Sequence, residues 1–295
     1  MLNYNKSFSN PNECLDNLKK DGVSVMRGLI NLDDLNLINN SVKKILETPS
    51  ITGSIGYYMK DPFKKTYDAF LLDKIVPSLV SNKIILNVIK KYLNDDIIIS
   101  EVFLKHDLGD DVVYFPYHRH TGAILNKAKP FGCGIIIYLH DTNEGAFCYS
   151  VGTHKENLDH EPDQLNKSKN KKNYVENLRR INGKKGDIVI FDEGGFHGPE
   201  QPVKNSRTVI ISGFRSKKIF ENKTKTEIPI LNSSLSLIDD EQKNALGLNN
   251  LAEIKYDDYH LRKISSEKPY SYIGTIFKFH FYLTKILIKL KDIIK

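Results

Sequence analysis

Two of the nine histidines stand two residues apart, and a third follows a strand-like run much later in the chain. His118 and His120 lie in the segment 114–122, which reads Tyr-Phe-Pro-Tyr-His-Arg-His-Thr-Gly. Side chains at positions i and i+2 of a β-strand point to the same face, so both imidazoles would project together, about 7 Å apart along the chain. His197 follows the predicted strand 187–191, and a barrel interior brings such remote strands together. We therefore predict that His118, His120 and His197 bind one metal ion.

The histidine pair taken by itself is a weak signal. In a chain with nine histidines, two of them two residues apart are not rare. The other six are interpreted as structural or exposed: His106, His140, His154, His160, His260 and His280. The metal prediction therefore depends on the surrounding elements and motifs.

The composition is that of an ordinary globular protein with a basic balance. Hydrophobic residues make up 40% and charged residues 27% of 295 positions, and the formal net charge is +7. A basic chain can attract nucleic acid, but no stretch combines basic and aromatic residues as a base-stacking platform does. The abundance of Lys together with Asn and Ile indicates compositional bias, and we expect no nucleic-acid partner.

The cysteines and the chain start indicate a cytoplasmic protein. Cys14, Cys133 and Cys148 are few and odd in number, and none lies in a C-x-x-C pair, which is typical of a reducing compartment. The first 14 residues are polar, and no window of about 18 residues is apolar without charges. We expect no secretion signal and no membrane span. Neither a G-x-S-x-G motif nor a P-loop is present to indicate nucleophilic hydrolysis or nucleotide binding.

The elements that must position the histidines are helices first and strands later. Helical spacing and capping residues predict helices over 9–21, 32–46 and 82–93, and 23–29 is predicted to be a strand. Short β-prone runs separated by turn residues follow at 97–104, 112–117, 132–139, 146–151, 187–191 and 207–214. This order predicts an α+β fold, mainly β, with the strands forming a sandwich or barrel.

A long polar segment at 156–185 interrupts the strands and is rich in lysine and arginine. We interpret it as a solvated surface insertion with one helix around 174–181. The alternative is a mobile lid whose basic groups attract an anionic substrate.

The C-terminal stretch 273–294 is predicted to be an amphipathic helix. Lys278, Lys285, Lys289 and Asp292 form one stripe, and apolar side chains occupy much of the rest. Such a helix packs by default on the protein body or on a partner subunit, whose presence the sequence does not decide. Peripheral membrane contact is the second option, because Lys with Phe and Leu suits an interface. We therefore expect one domain over 1–220, including the insertion, and an extension over 221–295.

Four separate pieces of the chain resemble the phytanoyl-CoA dioxygenase-like family of Fe(II)/2-oxoglutarate oxygenases, over about residues 15–215. The pieces are the opening run 21–29, the segment around His118, the run 145–155, and Gly-Asp-Ile-Val-Ile-Phe-Asp at 186–192 followed by His197 and Arg207. The resemblance implies a double-stranded β-helix, the jelly-roll or cupin-like fold. It also implies iron held by an H-x-D pair and a distal histidine, with 2-oxoglutarate as co-substrate.

The resemblance assigns roles to individual residues. His118 matches the first ligand of the H-x-D pair, and His197 matches the distal histidine. Arg207, ten positions beyond His197, matches the arginine that binds 2-oxoglutarate, and its planar fork suits a carboxylate. Lys105 and Tyr114 are secondary candidates for binding 2-oxoglutarate or substrate. The alternative makes Lys105 an exposed strand charge and Tyr114 a core residue.

His120 departs from the family pattern, which has aspartate at this position. In one explanation it is a neutral third ligand, which gives a three-histidine iron site with one negative charge fewer. In a second explanation position 120 is vacant at the metal, as in halogenating relatives, although an imidazole is bulky for that. In a third the chain is a degenerate member that binds without oxidising. A nearby carboxylate, Asp192 or Glu193, could also move in.

The leading hypothesis is an Fe(II)/2-oxoglutarate-dependent dioxygenase that hydroxylates a small-molecule, acyl or glycolipid-type substrate. The alternative is a non-catalytic metal- or ligand-binding member of the same fold, serving in regulation or interaction. Fold and metal site do not specify the substrate.

Overall fold

The computed structural model describes residues 1–47, 58–60, 63–67, 69–109, 117–120, 130–156, 163–200, 204–220 and 230–248. The predicted C-terminal helix at 273–294 and the candidate Tyr114 lie outside the described residues. The extension 221–295 is described only at 230–248.

The described chain starts with helices and continues mainly as strands. The strands are β1 (Leu2–Asn3), β2 (Val23–Met26), β3 (Tyr58–Lys60), β4 (Phe63–Thr66), β5 (Ile97–Asp107), β6 (Gly132–Tyr138), β7 (Thr142–Ser150), β8 (Leu178–Gly183), β9 (Ile188–Asp192), β10 (His197–Pro199) and β11 (Arg207–Ser216). The α-helices are α1 (Pro11–Asp21), α2 (Leu32–Leu46), α3 (Val76–Val80), α4 (Lys83–Leu93), α5 (Lys171–Glu176), α6 (Lys217–Phe220) and α7 (Asp240–Ala245).

The strands form two sheets that pack through their inner faces. The larger sheet has the order β2-β9-β6-β11-β5-β4-β3, and the smaller one has the order β1-β8-β7-β10. Phe147 and Tyr149 of β7 belong to one hydrophobic cluster with Ile136 of β6 and Phe191 of β9. Two largely antiparallel sheets joined in this way are the predicted jelly-roll core, and the predicted fold class is confirmed.

Strand β6 is buried on both faces, because its sheet lies between the helices and the smaller sheet. Ile135 and Ile137 pack in one cluster with side chains of α1, α2 and α4. Ile136 and Tyr138 alternate with them and pack with β7 and β8 on the other face. Burial of both faces explains why residues 135–138 are apolar without interruption.

The three predicted helices are confirmed, with bounds that differ from the prediction by at most two residues. Asn10, Asn31 and Asn82 cap α1, α2 and α4, and each side chain accepts a hydrogen bond from the backbone N–H two residues on. Helix α1 ends at Gly22, whose φ of 81° is left-handed and suits glycine. Among the described residues, no helix is long and apolar enough to cross a membrane.

The segment predicted as a surface insertion contributes a strand to the smaller sheet. Helix α5 ends at Glu176, and 178–183 forms β8 between β1 and β7, so the helix predicted over 174–181 is wrong in its second half. Tyr174, Leu178 and Ile181 are buried at spacings of four and three, which imitates a helix. Pairing with β7 overrides this local pattern.

Candidate metal centre

Backbone pairing brings the three histidines together from two distant parts of the chain. The N–H of His118 donates to the carbonyl of His197 at 3.0 Å, and the N–H of His197 donates back at 2.8 Å. The N–H of His120 donates to the carbonyl of Glu193 at 2.8 Å. Residues 112–116 of the predicted strand 112–117 lie outside the described residues. In the described part of the chain, His118 forms isolated bridges with Gln164 and His197. The two histidines are therefore aligned by the segment joining β9 to β10.

The three imidazoles converge on one point. One nitrogen of each of His118, His120 and His197 lies within 4.8 Å of the others, and the ring centroids are 4.8 to 5.4 Å apart. Imidazole nitrogens bind a zinc-like ion at about 2.0–2.1 Å, which places them roughly 3–4 Å from one another. Small rotations of the three rings would bring their nitrogens to the spacing that one bound ion requires.

His197 is held in the form that a metal ligand requires. Its Nδ1 lies 2.9 Å from the carbonyl of Gly195, so Nδ1 carries the proton and Nε2 keeps its lone pair. Burial lowers the pKa of His197 well below the usual value, and the neighbouring His118 and His120 lower it further. The ring also packs against Phe191 and Phe147, with centroid distances of 4.7 and 5.9 Å.

His120 is held by an acid behind it. Its Nδ1 lies 2.9 Å from Oε2 of Glu193, whose carboxylate also pairs with Arg215. Burial alone would raise the pKa of Glu193, but the charges of Arg215 and His120 outweigh it and lower the pKa to about 2. Burial alone would lower the pKa of His120, but Glu193 outweighs it and raises the pKa. Glu193 therefore stays ionised beside the imidazole.

The other acid considered for the metal, Asp192, is engaged elsewhere. Its carboxylate accepts a hydrogen bond from Tyr92 at 2.5 Å and from the N–H of Gly194 at 2.6 Å. Of the two acids, Glu193 is the one that contacts His120.

A cavity of about 560 Å³ extends from the histidines along β5 and β11. It is lined by His118, His120, His197, Glu193, Lys105, Arg207, Phe103, Phe147, Phe191 and Ile211, among others. Arg207, on β11, and the three histidines line the same cavity. The histidines and Arg207 thus define two ends of one cavity, which we call the metal end and the co-substrate end.

At the co-substrate end, Arg207 is paired with an acid that the sequence analysis did not single out. Nε and Nη2 of Arg207 donate to Oδ2 of Asp107 at 3.0 and 2.6 Å. Nζ of Lys105 lies 2.8 Å from the other oxygen of Asp107. Asp107 and Arg207 are fully buried and face each other across β5 and β11. Burial lowers the pKa of Lys105 more than Asp107 raises it.

The side chains at both ends fit the groups that the sequence predicted. Imidazole nitrogens suit iron, zinc, copper and nickel, and three on one side leave further positions open. Nη1 of Arg207 has no hydrogen-bond partner among the described residues. A buried donor without a partner costs roughly 1–3 kcal/mol, which an added carboxylate would offset. Lys105 and Arg207 formally carry two positive charges against one on Asp107, so one further carboxylate fits.

Sequence reasoning missed Asp107 and Arg215, and it named Glu193 only as an acid that could move to the metal. Asp107 stands two positions after Lys105, on the same face of a strand, and this spacing was an available signal. Arg215 likewise lies on β11 beyond Arg207. The contact of Glu193 with His120 joins residues 73 positions apart and had no local signal.

Several solved structures share the fold at low sequence identity. HygX from Streptomyces hygroscopicus, with nickel and 2-oxoglutarate bound, is 16% identical with a TM-score of 0.52, covering 69% of this chain and 86% of HygX. AviO1 from Streptomyces viridochromogenes Tue57 is 14% identical with a TM-score of 0.53, covering 76% and 100%. SnoN, a non-heme alpha ketoglutarate dependent epimerase from nogalamycin biosynthesis, is 10% identical with a TM-score of 0.54, covering 75% and 92%.

Sequence comparison identifies the family. No curated protein matches the chain in sequence. The family model of phytanoyl-CoA dioxygenase (PhyH) matches residues 18–202, which is more than half of the chain. HygX has been solved with nickel and 2-oxoglutarate bound, and SnoN has been solved with Fe3+ and alpha ketoglutarate bound. The chain belongs to the phytanoyl-CoA dioxygenase (PhyH) family.

Proposed function

We propose that this chain is an Fe(II)/2-oxoglutarate-dependent dioxygenase that hydroxylates a small molecule. The observation that carries the proposal is the placement of three converging imidazoles and a buried arginine in one cavity. A metal ligand set alone fits many activities. A carboxylate-binding arginine in the same cavity favours an oxygenase that uses a 2-oxo acid.

The roles follow from the residues in the cavity. His118, His120 and His197 hold the iron through imidazole nitrogens. Arg207 and Lys105 bind the distal carboxylate of 2-oxoglutarate, Arg207 through the nitrogen that lacks a partner. Iron and 2-oxoglutarate, when bound, supply the oxidising power that places an oxygen atom from O₂ in a C–H bond and leaves succinate and CO₂.

The protein itself positions the groups and excludes water. The rings of Phe147 and Phe191 pack against His197 and keep that side of the metal end dry. Gly134 makes room for this arrangement, because a Cβ there would lie 2.1 Å from the ring of Phe191. Low polarity around His197 strengthens the electrostatic interactions at the metal.

The substrate is proposed to be a small molecule. HygX has been crystallised with hygromycin B and SnoN with nogalamycin RO, so the fold accommodates large natural products. A cavity of about 560 Å³ is in the range of small-molecule sites. The basic C-terminal stretch supports a more specific proposal. In it the substrate is of an acyl or glycolipid type, and 273–294 makes peripheral membrane contact.

The cellular setting is proposed to be the cytoplasm. Cys14, Cys133 and Cys148 are free and buried, as in proteins of reducing compartments. We also keep the division into an oxygenase domain over 1–220 and an extension over 221–295. In that division 156–185 carries Asp163 and Gln164, which line the cavity, so the role of a lid stays a proposal.

A second candidate function is a non-catalytic member of the same fold that binds a metal or ligand. Two observations favour it. His120 replaces the aspartate of the family pattern, and Asp107 occupies most of the hydrogen-bonding fork of Arg207. Such a protein would bind without turnover.

Anaerobic titration of the pure protein with Fe(II) and 2-oxoglutarate tests the proposal. We expect a visible charge-transfer band that needs both components, and succinate formation once O₂ is admitted. Absence of the band at high iron would contradict the dioxygenase proposal. A band without succinate, across a panel of candidate substrates, would favour the non-catalytic member. Arg207→Met is the matched control, since it should retain iron and lose the band.

A further inference from the structure

The position of His120 raises a question of charge at the metal end. The family pattern has an aspartate there, and a neutral imidazole in its place removes one negative charge from the ligand set. Fewer anionic ligands hold Fe(II) less tightly and stabilise higher oxidation states less well. A charge that compensates must come from a residue close to His120 and shielded from water.

Glu193 meets both conditions. Its side chain is 1% exposed, and Oε2 lies 2.9 Å from Nδ1 of His120. The backbone of the same two residues is joined by the 2.8 Å hydrogen bond from the N–H of His120 to the carbonyl of Glu193. Because the pair is fixed at both backbone and side chain, the carboxylate stays directly behind the imidazole.

The larger sheet leaves room for this acid and its counter-ion. Arg215 pairs with Glu193 and is 8% exposed. A Cβ at Gly132 would lie 2.5 Å from Nη1 of Arg215, and a Cβ at Gly213 would lie 3.1 Å from Oε1 of Glu193. A buried ion pair is costly to desolvate and is weak evidence for stability. Its position beside a histidine of the metal end therefore points to a role in binding.

We propose that Glu193 is a positioning residue that restores, through His120, the negative charge that the family's aspartate places directly on the metal. The proposal rests on the proposed function of His120 as a ligand. The carboxylate accepts the Nδ1 proton of His120 in a hydrogen bond, which leaves Nε2 as the ligand atom and makes it a stronger donor. Loss of such an outer partner typically costs 10–100-fold in metal affinity.

Arg215 and His120 both pair with the carboxylate of Glu193. Arg215 takes part of the negative charge of Glu193, so the acid is not free to enter the coordination sphere in place of His120. Nη2 of Arg215 also lies 3.5 Å from Nδ1 of His120, which completes a closed set of three side chains. The arrangement therefore favours Glu193 behind the ligand over Glu193 as the ligand.

Metal binding measured without turnover tests the proposal. Purified full-length protein is titrated with Co(II) by calorimetry, and the d–d absorption of the bound ion reports its ligand geometry. Glu193→Gln should weaken Co(II) binding about 10–100-fold and change the spectrum. Glu101→Gln is the matched control, because Glu101 lines the same cavity and acts on His120 through its charge, without a hydrogen bond to it among the described contacts. It should change affinity less than about threefold.

A double-mutant cycle separates charge from simple packing. His120→Asp alone places two carboxylates together, whereas His120→Asp with Glu193→Gln keeps one carboxylate, now on the metal. We expect the double variant to bind Co(II) more tightly than Glu193→Gln alone. If Glu193→Gln folds poorly, Glu193→Gln with Arg215→Gln removes both charges and should show the same loss of affinity.

The outcomes distinguish this proposal from the proposed function. If the wild-type protein binds no Co(II) or Fe(II), the proposed function fails. If wild-type protein binds the metal and Glu193→Gln binds it equally well with an unchanged spectrum, the role of Glu193 is overturned and the metal site stands.

Discussion

The cavity has a buried acid at each end, and the two acids hold different partners. At the metal end, Glu193 lies behind an uncharged imidazole and adds a negative charge to a neutral ligand set. At the co-substrate end, Asp107 pairs with the guanidinium of Arg207 and offsets the positive charge that is expected to bind a carboxylate. Each acid is almost fully buried.

A buried acid can favour or oppose binding according to the group that it faces. Glu193 strengthens a ligand for a cation, whereas Asp107 competes with an incoming anion for the same nitrogen atoms. Lys105 reduces that competition, because it pairs with the other oxygen of Asp107. We therefore expect tight binding at the metal end and weaker, more reversible binding at the co-substrate end.

Removal of a ligand at the metal end should have the largest effect. His197→Ala takes away a buried, neutral imidazole whose Nδ1 is already held by Gly195. We expect a loss of Fe(II) affinity above about 100-fold, because a ligand matters more than an outer partner. Anaerobic calorimetry measures it. His106→Gln is the control, since His106 bonds to Thr208 and lies outside the cluster. Equal affinity in both variants would contradict the ligand assignment.

Release of the arginine at the co-substrate end should have the next largest effect, and in the opposite direction. Asp107→Asn weakens the hold on Arg207 and should increase the affinity for 2-oxoglutarate about tenfold, the value of one charge-assisted contact. Titration of the metal-loaded protein under nitrogen measures it. Unchanged or weaker binding would mean that Asp107 acts mainly by orienting Arg207.

The stability of the protein should depend on pH through both ends, through Glu193 on the acid side and through Lys105 on the alkaline side. The folded-state pKa of Glu193 is lowered to about 2, so its stabilisation is present above pH 4.5 and is lost as the pH falls towards 2. The folded-state pKa of Lys105 is lowered by burial, so stability increases as the pH rises from that value towards 10.5. Thermal unfolding of metal-free protein measures both.

Variants of Glu193 and Lys105 show which residue causes each part of the pH dependence. Glu193→Gln should reduce the slope of stability against pH on the acid side alone, and Lys105→Met should reduce it on the alkaline side alone. If a variant changes neither slope, its residue does not contribute to the pH dependence of stability.

The smallest effect is expected for the cation near the cavity wall, Lys65. Its Nζ lies 3.5 Å from the ring centroid of Phe103 and 4.4 Å from that of Tyr67. Cation–π contacts of this kind contribute about 0.5–1 kcal/mol, so Lys65→Met should lower the free energy of unfolding by no more than about 1 kcal/mol. We expect 2-oxoglutarate affinity to change less than about threefold. A tenfold loss of 2-oxoglutarate affinity would indicate that Lys65 also takes part in binding the co-substrate.

Much of the fold could be predicted because its signals are local. Asn10, Asn31 and Asn82 mark helix starts, and alternating or continuous apolar runs mark strands. The helical prediction over 174–181 failed because β7 pairs with 178–183 and outweighs the local spacing. Predictions for Tyr114 and 273–294 stay untested.

Most element types, the family, and the grouping of His118, His197 and Arg207 could be predicted from the sequence, because periodicity and motif spacing are properties of the chain. Which acid meets which base depends on the tertiary structure. Asp107 and Arg207 are 100 positions apart, and His120 and Glu193 are 73 apart. Such contacts depend on strand register, and a slip of one residue would turn each side chain to the other face of its sheet.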